Sequence, residues 1–304
     1  MDPHHVPPLT PRSRLATVGP TLALLATLAC AGGCQSRTAD PPVTVVPNVD
    51  GQGTRISSVL GGFYGPASWV QPTNQLSMDC PYPASYNVYT TGVTVTAVDT
   101  WDETGNGDVG TVYVQDTVSP TPIYAGMSLF NPGYTPPDLR PEPGDVLDVT
   151  GTYEEFIGPS SGYFAECETL PQIAGAAQLR FNGTVPQPVV ITPEDLSTFE
   201  GARKYLSMLV TVQQPGGLVT VAAAGKESDG RYSAEMAVPS GSNWFVADEL
   251  WDVAHKEPLS EGQQFQSITG IVTYFYDFEL APRSAADFVL PGGNGSPDAG
   301  ADGG

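Results

Sequence analysis

Two stretches of this chain carry the same design. "PGDVLDVTGTYEEF" (residues 143–156) and "GQQFQSITGIVTYFYDF" (262–278) each alternate apolar and polar residues over strand length, beside a turn glycine. Side chains on a strand point alternately to opposite faces, so a period of two marks a strand with one face in a core and excludes an amphipathic helix. "GDVLDVTGTY" (144–153) and "GQQFQSITGIVTY" (262–274) read as one strand used twice, the second copy one residue longer between its glycines. Their surroundings rhyme as well. "TGVTVTAVDTW", "GTVYVQDT" and "IYAGMSLF" precede the first copy, and "YLSMLVTVQQ", "GLVTVAAAG" and "GRYSAEMAV" precede the second. Turn signals separate these runs: Gly105 to Asp108, Pro120 and Pro122, and Pro141 to Gly144. "PEDLSTFEG" (193–201) reads as a short helix or turn joining the two halves.

This pattern predicts an all-β protein of two tandem units, each with about five short, curved strands. Strands of that length, joined by long loops, suit two small closed barrels of the OB type. A β-sandwich has similar strand spacing and is the rival architecture. The expected organisation is a first OB-like unit over 54–185, with an N-terminal insertion, and a second over 186–290. The flanks differ in kind. "QSRTADPPVTVVPNVDGQG", within 34–53, has the Pro, Asp and Gly content of a flexible tether, and 291–304 is a low-complexity tail expected to be disordered.

The N-terminus reads as an address. Arg12 and Arg14 precede an apolar run from Leu15 to Ala29, and small residues and two cysteines follow. A cysteine just behind such a run resembles a bacterial lipoprotein signal. That resemblance implies cleavage before the cysteine, a diacylglyceryl anchor on it, and a signal peptide over 1–33. Cys34, behind Ala-Gly-Gly, is the expected anchor, and Cys30 is the alternative. Cysteine parity favours Cys34, because it leaves only Cys80 and Cys167, which are then expected to pair as a disulfide in an oxidising compartment. Gln35 follows Cys34, where the lipoprotein signal for inner-membrane retention has Asp, so the expected location is the bacterial outer membrane or cell surface.

The strand motifs carry a second resemblance. "VTVTAVDTW…GTVYVQDT…YAGMSLF…PGDVLDVTGTYEEF" is similar to OB-fold-type nucleic-acid-binding regions found in bacterial secreted and surface proteins beside secreted nuclease domains. Gln115, Asp116, Gly126, Gly144, Asp145, Val149 and Gly151 occupy its characteristic positions, and Pro282, Arg283, Ser284 and Asp287 resemble its closing element. The likeness covers residues 90–290 loosely and implies the fold. A nucleic-acid ligand conflicts with the charge. Acids outnumber bases 33 to 12, for a net −21, and no basic cluster is visible. Non-specific nucleic-acid affinity comes from Lys and Arg neutralising phosphates.

Few residues offer chemistry. Beyond the signal, His255 is the only histidine, and no Gly-x-Ser-x-Gly elbow, His-Glu-x-x-His helix or phosphate loop occurs. Zinc would need more Cys and His than the chain supplies there. Calcium is the metal that fits best: the oxygen-rich loop "DTWDETGNGDVG" offers Asp99, Asp102, Asn106 and Asp108. The same residues also read as a polar hairpin turn. Trp101, Tyr113, Tyr124 and Phe130 fall on or beside the strands that OB-folds use to stack ligands, or else fill the barrel core. The expectation is a protein that is not an enzyme: a lipid-anchored surface or periplasmic binding protein without a cofactor, calcium aside. Its partners would be the membrane, through lipid, and a ligand or protein, without strong nucleic-acid binding. Two alternatives remain open: an accessory or enzymatic protein acting on extracellular nucleic acid, and a calcium-dependent glycan-binding or adhesive β-domain.

Overall fold

The computed structural model describes residues 55–64, 86–107, 109–158, 169–228, 230–239 and 242–292. The signal segment with Cys30 and Cys34, the tether, Cys80, Cys167, Asp108 and residues 293–304 of the tail lie outside the described residues. Strand accounts for 47% and helix for 11%, all of it short, which makes the protein all-β. It forms a closed five-stranded barrel and a curled half-barrel sheet, consistent with two OB-like barrels.

The first barrel uses β1 (Tyr86–Val98), β2 (Val112–Asp116), β3 (Gly126–Leu129), β5 (Asp145–Phe156) and β6 (Leu170–Asn182), with β4 (Gly133–Thr135) as a short addition along β6. β1 pairs with β2 and β5, β2 pairs with β3, β5 pairs with β6, and β6 returns parallel to β3, which closes the ring. One strand must therefore serve two neighbours that diverge. β1 does so by bending at Gly92, where its pairing with β5 slips a register and φ is +69°. A glycine adopts that backbone without a Cβ penalty, and such bulges add the twist that a small barrel needs. The bulge is held by Asp148, which accepts a hydrogen bond from the Gly92 amide at 3.0 Å. Gly151 and Gly175 face each other on β5 and β6, and a Cβ on either would lie 2.2–2.4 Å from a neighbouring carbonyl oxygen. Only glycine allows strands that close.

The second sheet comprises β7 (Val189–Ile191), β8 (Leu209–Val212), β9 (Val219–Ser228), β10 (Arg231–Met236), β11 (Trp244–Ala247), β12 (Gln264–Phe265), β13 (Ser267–Phe275), β14 (Asp277–Ala281) and β15 (Phe288–Val289). Its order is β12-β9-β10-β11-β14-β13-β8-β7. Here too the strand in the place of β3 (β11) runs parallel to the one in the place of β6 (β14), while β13 pairs with both β8 and β14. β8 and β9 correspond to one first strand interrupted by the turn at Gln214–Gly217, where Gly216 has φ +70°. β5 and β13 thus hold equivalent places in the two units, which accounts for the repeated strand in the sequence.

Each unit has its own core. Val93, Val95, Leu129, Leu147 and Tyr153 fill the first, and Trp244, Met236, Phe265, Ile268 and Leu280 the second. Ile56 and Leu60 of helix α1 (Ile56–Tyr64) also enter the first core, and Asp116 at the end of β2 caps that helix by accepting from the Ile56 and Ser57 amides at 3.0 and 2.9 Å. Between the units, α2 (Pro193–Leu196) starts from a capping box of Thr192 and Asp195, and α3 (Phe199–Arg203) from Thr198.

Candidate functional site at the seam between the barrels

A third apolar cluster joins the barrels. Ala97 and Tyr113 from the first unit pack with Leu209, Leu250, Ile271 and Ala281 from the second. Backbone comes equally close: a Cβ on Gly126 would lie 2.5 Å from the Ser207 carbonyl carbon. Gln115 accepts the Leu209 amide at 2.9 Å, and the Tyr124 amide donates to the Lys204 carbonyl at 2.7 Å. The motif residues of the OB-type resemblance thus have physical roles: Gln115 and Gly126 bind the second barrel, Asp116 holds α1, and Gly151 permits strand closure. Arg283 forms a forked pair with Asp287, at 2.9 and 3.2 Å, and its remaining nitrogen reaches the Thr96 carbonyl at 3.4 Å. The closing Pro-Arg-Ser element therefore ties the end of the second unit to β1.

The loop between β1 and β2 crosses the same seam. Its base is closed by the Asp99 amide on the Thr111 carbonyl at 2.8 Å and the Gly110 amide on the Asp99 carbonyl at 2.9 Å. Asp102 accepts the Asn106 and Gly107 amides at 3.1 and 2.8 Å, and Gly105, Gly107 and Gly110 all take positive φ. The short polar side chain thereby substitutes for backbone partners in the turn. Glu103 leaves the loop to bridge Arg231 of β10 at 2.8 Å, and the Thr104 backbone packs against Gly230. The Lys256 ammonium, at the end of α4 (Val253–Lys256), sits 5.8 Å from the Trp101 ring centroid and 5.7 Å from that of Trp251.

Acids concentrate here. The Tyr113 hydroxyl donates to Glu249 across the seam. Asp99 is 5% exposed and is pushed up to about 8 by burial, then by the negative Glu249 and Glu103 nearby. Glu279 on β14 is likewise pushed up to about 8 by burial and Glu249. Burial raises Glu103 as well, and raises the Tyr113 phenol together with Glu249. Asp99 Oδ1, Glu103 Oε2, Trp101 Nε1 and Thr104 Oγ1 are buried without a hydrogen-bond partner among the described residues. Burial of those unpartnered oxygens favours the neutral, protonated carboxyls, against the opposing pull of the Trp101 backbone on Asp99 and of Arg231 on Glu103.

The sequence-predicted residues fall in different settings. Of the calcium set, Asp99 lies in the seam, Asp102 is committed to loop amides, Asn106 is exposed, and Asp108 is outside the described residues. No group of three or more His, Cys, Asp or Glu side chains among the described residues is placed to hold a metal ion. Of the aromatic set, Trp101 is half-buried in the loop, Tyr113 is buried in the seam, Tyr124 is buried in the first core, and Phe130 is 51% exposed. Glu249, Glu279 and Arg231 were not singled out from sequence. The available signal was Glu279, a carboxylate inside the apolar strand "DFELA". His255 is exposed and pairs with Asp252 at 2.8 Å, which raises its imidazole.

These features define an all-β protein of two OB-type barrels joined along an acidic, partly dry seam. No protein-family model matches the chain, and no curated protein matches it in sequence.

Proposed function

We propose that the chain is a non-catalytic, lipid-anchored binding protein of the bacterial envelope, presenting two fused OB-like units to a ligand or protein partner. The observation that carries this reading is the way charge is used. Arg203 pairs with Glu155, Arg231 with Glu103, Arg180 with Asp148, and Arg283 with Asp287. Three of these pairs hold one structural element to another, so the charged residues serve to fix a rigid scaffold. A rigid barrel pair binds without the ordering cost that a flexible tandem would incur. The Arg12–Cys34 segment supports the lipid anchor, and the net −21 favours partners that are neutral or cationic.

The test is a thermal-shift and surface-binding screen of the exported full chain against glycans, cationic peptides, Ca²⁺ and single-stranded DNA. A saturable ligand with no turnover supports the reading. Hydrolysis of a glycan or nucleic acid by the purified protein, abolished by a point substitution, overturns it.

A further inference from the structure

Trp101 and Trp251 come from different barrels and flank one cation. Trp101 stands in the loop after β1, and Trp251 follows β11 in the second unit. The Lys256 ammonium lies 5.8 Å from the centroid of the first indole and 5.7 Å from that of the second. Both walls have supports apart from Lys256. The Trp251 ring packs on Phe288, with centroids 6.3 Å apart. The loop bearing Trp101 is fixed by the Glu103–Arg231 bridge at 2.8 Å and by the backbone bonds at its base. Lys256 itself is exposed, and its ammonium ends a flexible four-carbon stem. Two supported walls therefore hold an occupant that can leave. Its choice of partner is informative. The chain has 33 acids, and Arg180, Arg203, Arg231 and Arg283 each pair with one. Among the described residues, no carboxylate lies within ion-pair distance of the Lys256 ammonium. Asp252, one turn back on α4, is taken by His255 at 2.8 Å. An indole face attracts a cation through its quadrupole but accepts N–H groups only weakly. A primary ammonium brings three N–H donors to such a place, whereas a quaternary ammonium brings none and can lay its methyl groups on the rings.

We infer that Trp101 and Trp251 form a cation site across the seam, that its ligand is a small quaternary alkylammonium, and that Lys256 is a resident occupant which this ligand displaces. The site rests on the binding-protein reading above and gives it a ligand class. The net −21 enriches cations around the protein and so favours entry.

NMR of the full chain carrying ¹⁵N-labelled tryptophan tests this, following each indole N–H as tetramethylammonium or choline chloride is added, with sodium chloride holding the ionic strength constant. Trp244, buried in the second core, is the internal reference. The expected result is saturable shifts of the Trp101 and Trp251 signals while Trp244 stays still. Affinity should rise roughly tenfold in Lys256→Ala, because the ligand no longer competes with a cation held by two rings. Trp101→Leu keeps an apolar side chain but has no π face, and it should lower the affinity of Lys256→Ala by roughly tenfold. Absence of a saturable shift in Lys256→Ala overturns the site, and because that variant alters an exposed side chain it decides the matter without Trp101→Leu. Equal affinity in the wild type and Lys256→Ala, or affinity unaltered by Trp101→Leu, also overturns it. These failures leave the binding-protein reading standing, which falls separately if the ligand screen finds turnover.

Discussion

Replacing Arg203 by methionine would leave a buried carboxylate without its counter-ion. Arg203 and Glu155 have side chains 2% and 4% exposed, with nitrogen and oxygen 3.3 Å apart. The guanidinium also donates to the Thr169 carbonyl and, at 3.0 Å, to the Thr169 hydroxyl. Glu155 sits on β5 of the first barrel and Arg203 at the end of α3, so the pair fastens the inter-unit helix to that barrel. Burial raises the Glu155 carboxyl, and Arg203 opposes that rise. Methionine keeps the stem's packing and removes the charge. Breaking one partner of a buried pair costs roughly 3–5 kcal/mol, because the other charge stays desolvated. For a domain of this size each kcal/mol moves Tm by about 2–4 °C, so a fall of roughly 6–20 °C is expected. The deficit should also depend on pH. Without Arg203, Glu155 holds its proton to higher pH in the native state than in the unfolded chain. Native protein then binds the extra proton in that window, and stability falls as pH rises, by up to about 1.4 kcal/mol per pH unit. Urea titrations at pH 5 and pH 8 measure both effects, and adding Glu155→Gln to Arg203→Met should recover at least about 1 kcal/mol at pH 8. A single variant within about 0.5 kcal/mol of wild type, or a deficit identical at both pH values, would refute the reasoning.

Further outcomes follow from other parts of the molecule. Gly126→Ala would drive a Cβ to 2.5 Å from the Ser207 backbone and strain the Gln115–Leu209 bond, with an expected loss of roughly 1–3 kcal/mol by denaturant midpoint; an unaltered midpoint would mean that the barrels do not meet there. Mass spectrometry of the mature N-terminal peptide should find a diacylglyceryl group on Cys34, and an unmodified N-terminus beyond residue 34 would remove the anchor from the proposal. Labelled single-stranded DNA should not bind appreciably at physiological salt, since four of the nine bases between residues 50 and 290 already pair with acids. Micromolar affinity with a steep salt slope would favour the nucleic-acid reading instead.

The strands were legible because their information is local. "TVYVQD", "GDVLDVTGTY" and "SITGIVTYF" alternate, and alternation alone selects a strand and its buried face. The repeated strand exposed the duplication, and the Arg283–Asp287 pair is local, its partners four residues apart within the Pro-Arg-Ser-x-x-Asp ending. The acidic loop 99–110 could be read as a set of oxygens or as a polar hairpin turn, since nothing local says where Asp99 points. Its surroundings come from Glu249, far along the chain, and Glu103 finds Arg231 only when the second barrel docks. Likewise Tyr113 could be read from sequence as part of a stacking platform or of the core, and it is the packing of the barrels that sets its hydroxyl on Glu249. Sequence by itself determined the strands, the repetition and the charge, all of which depend on neighbours in the chain. Tertiary structure alone decided which acids are dry, because desolvation depends on what covers a side chain, and that cover arrives from the other barrel.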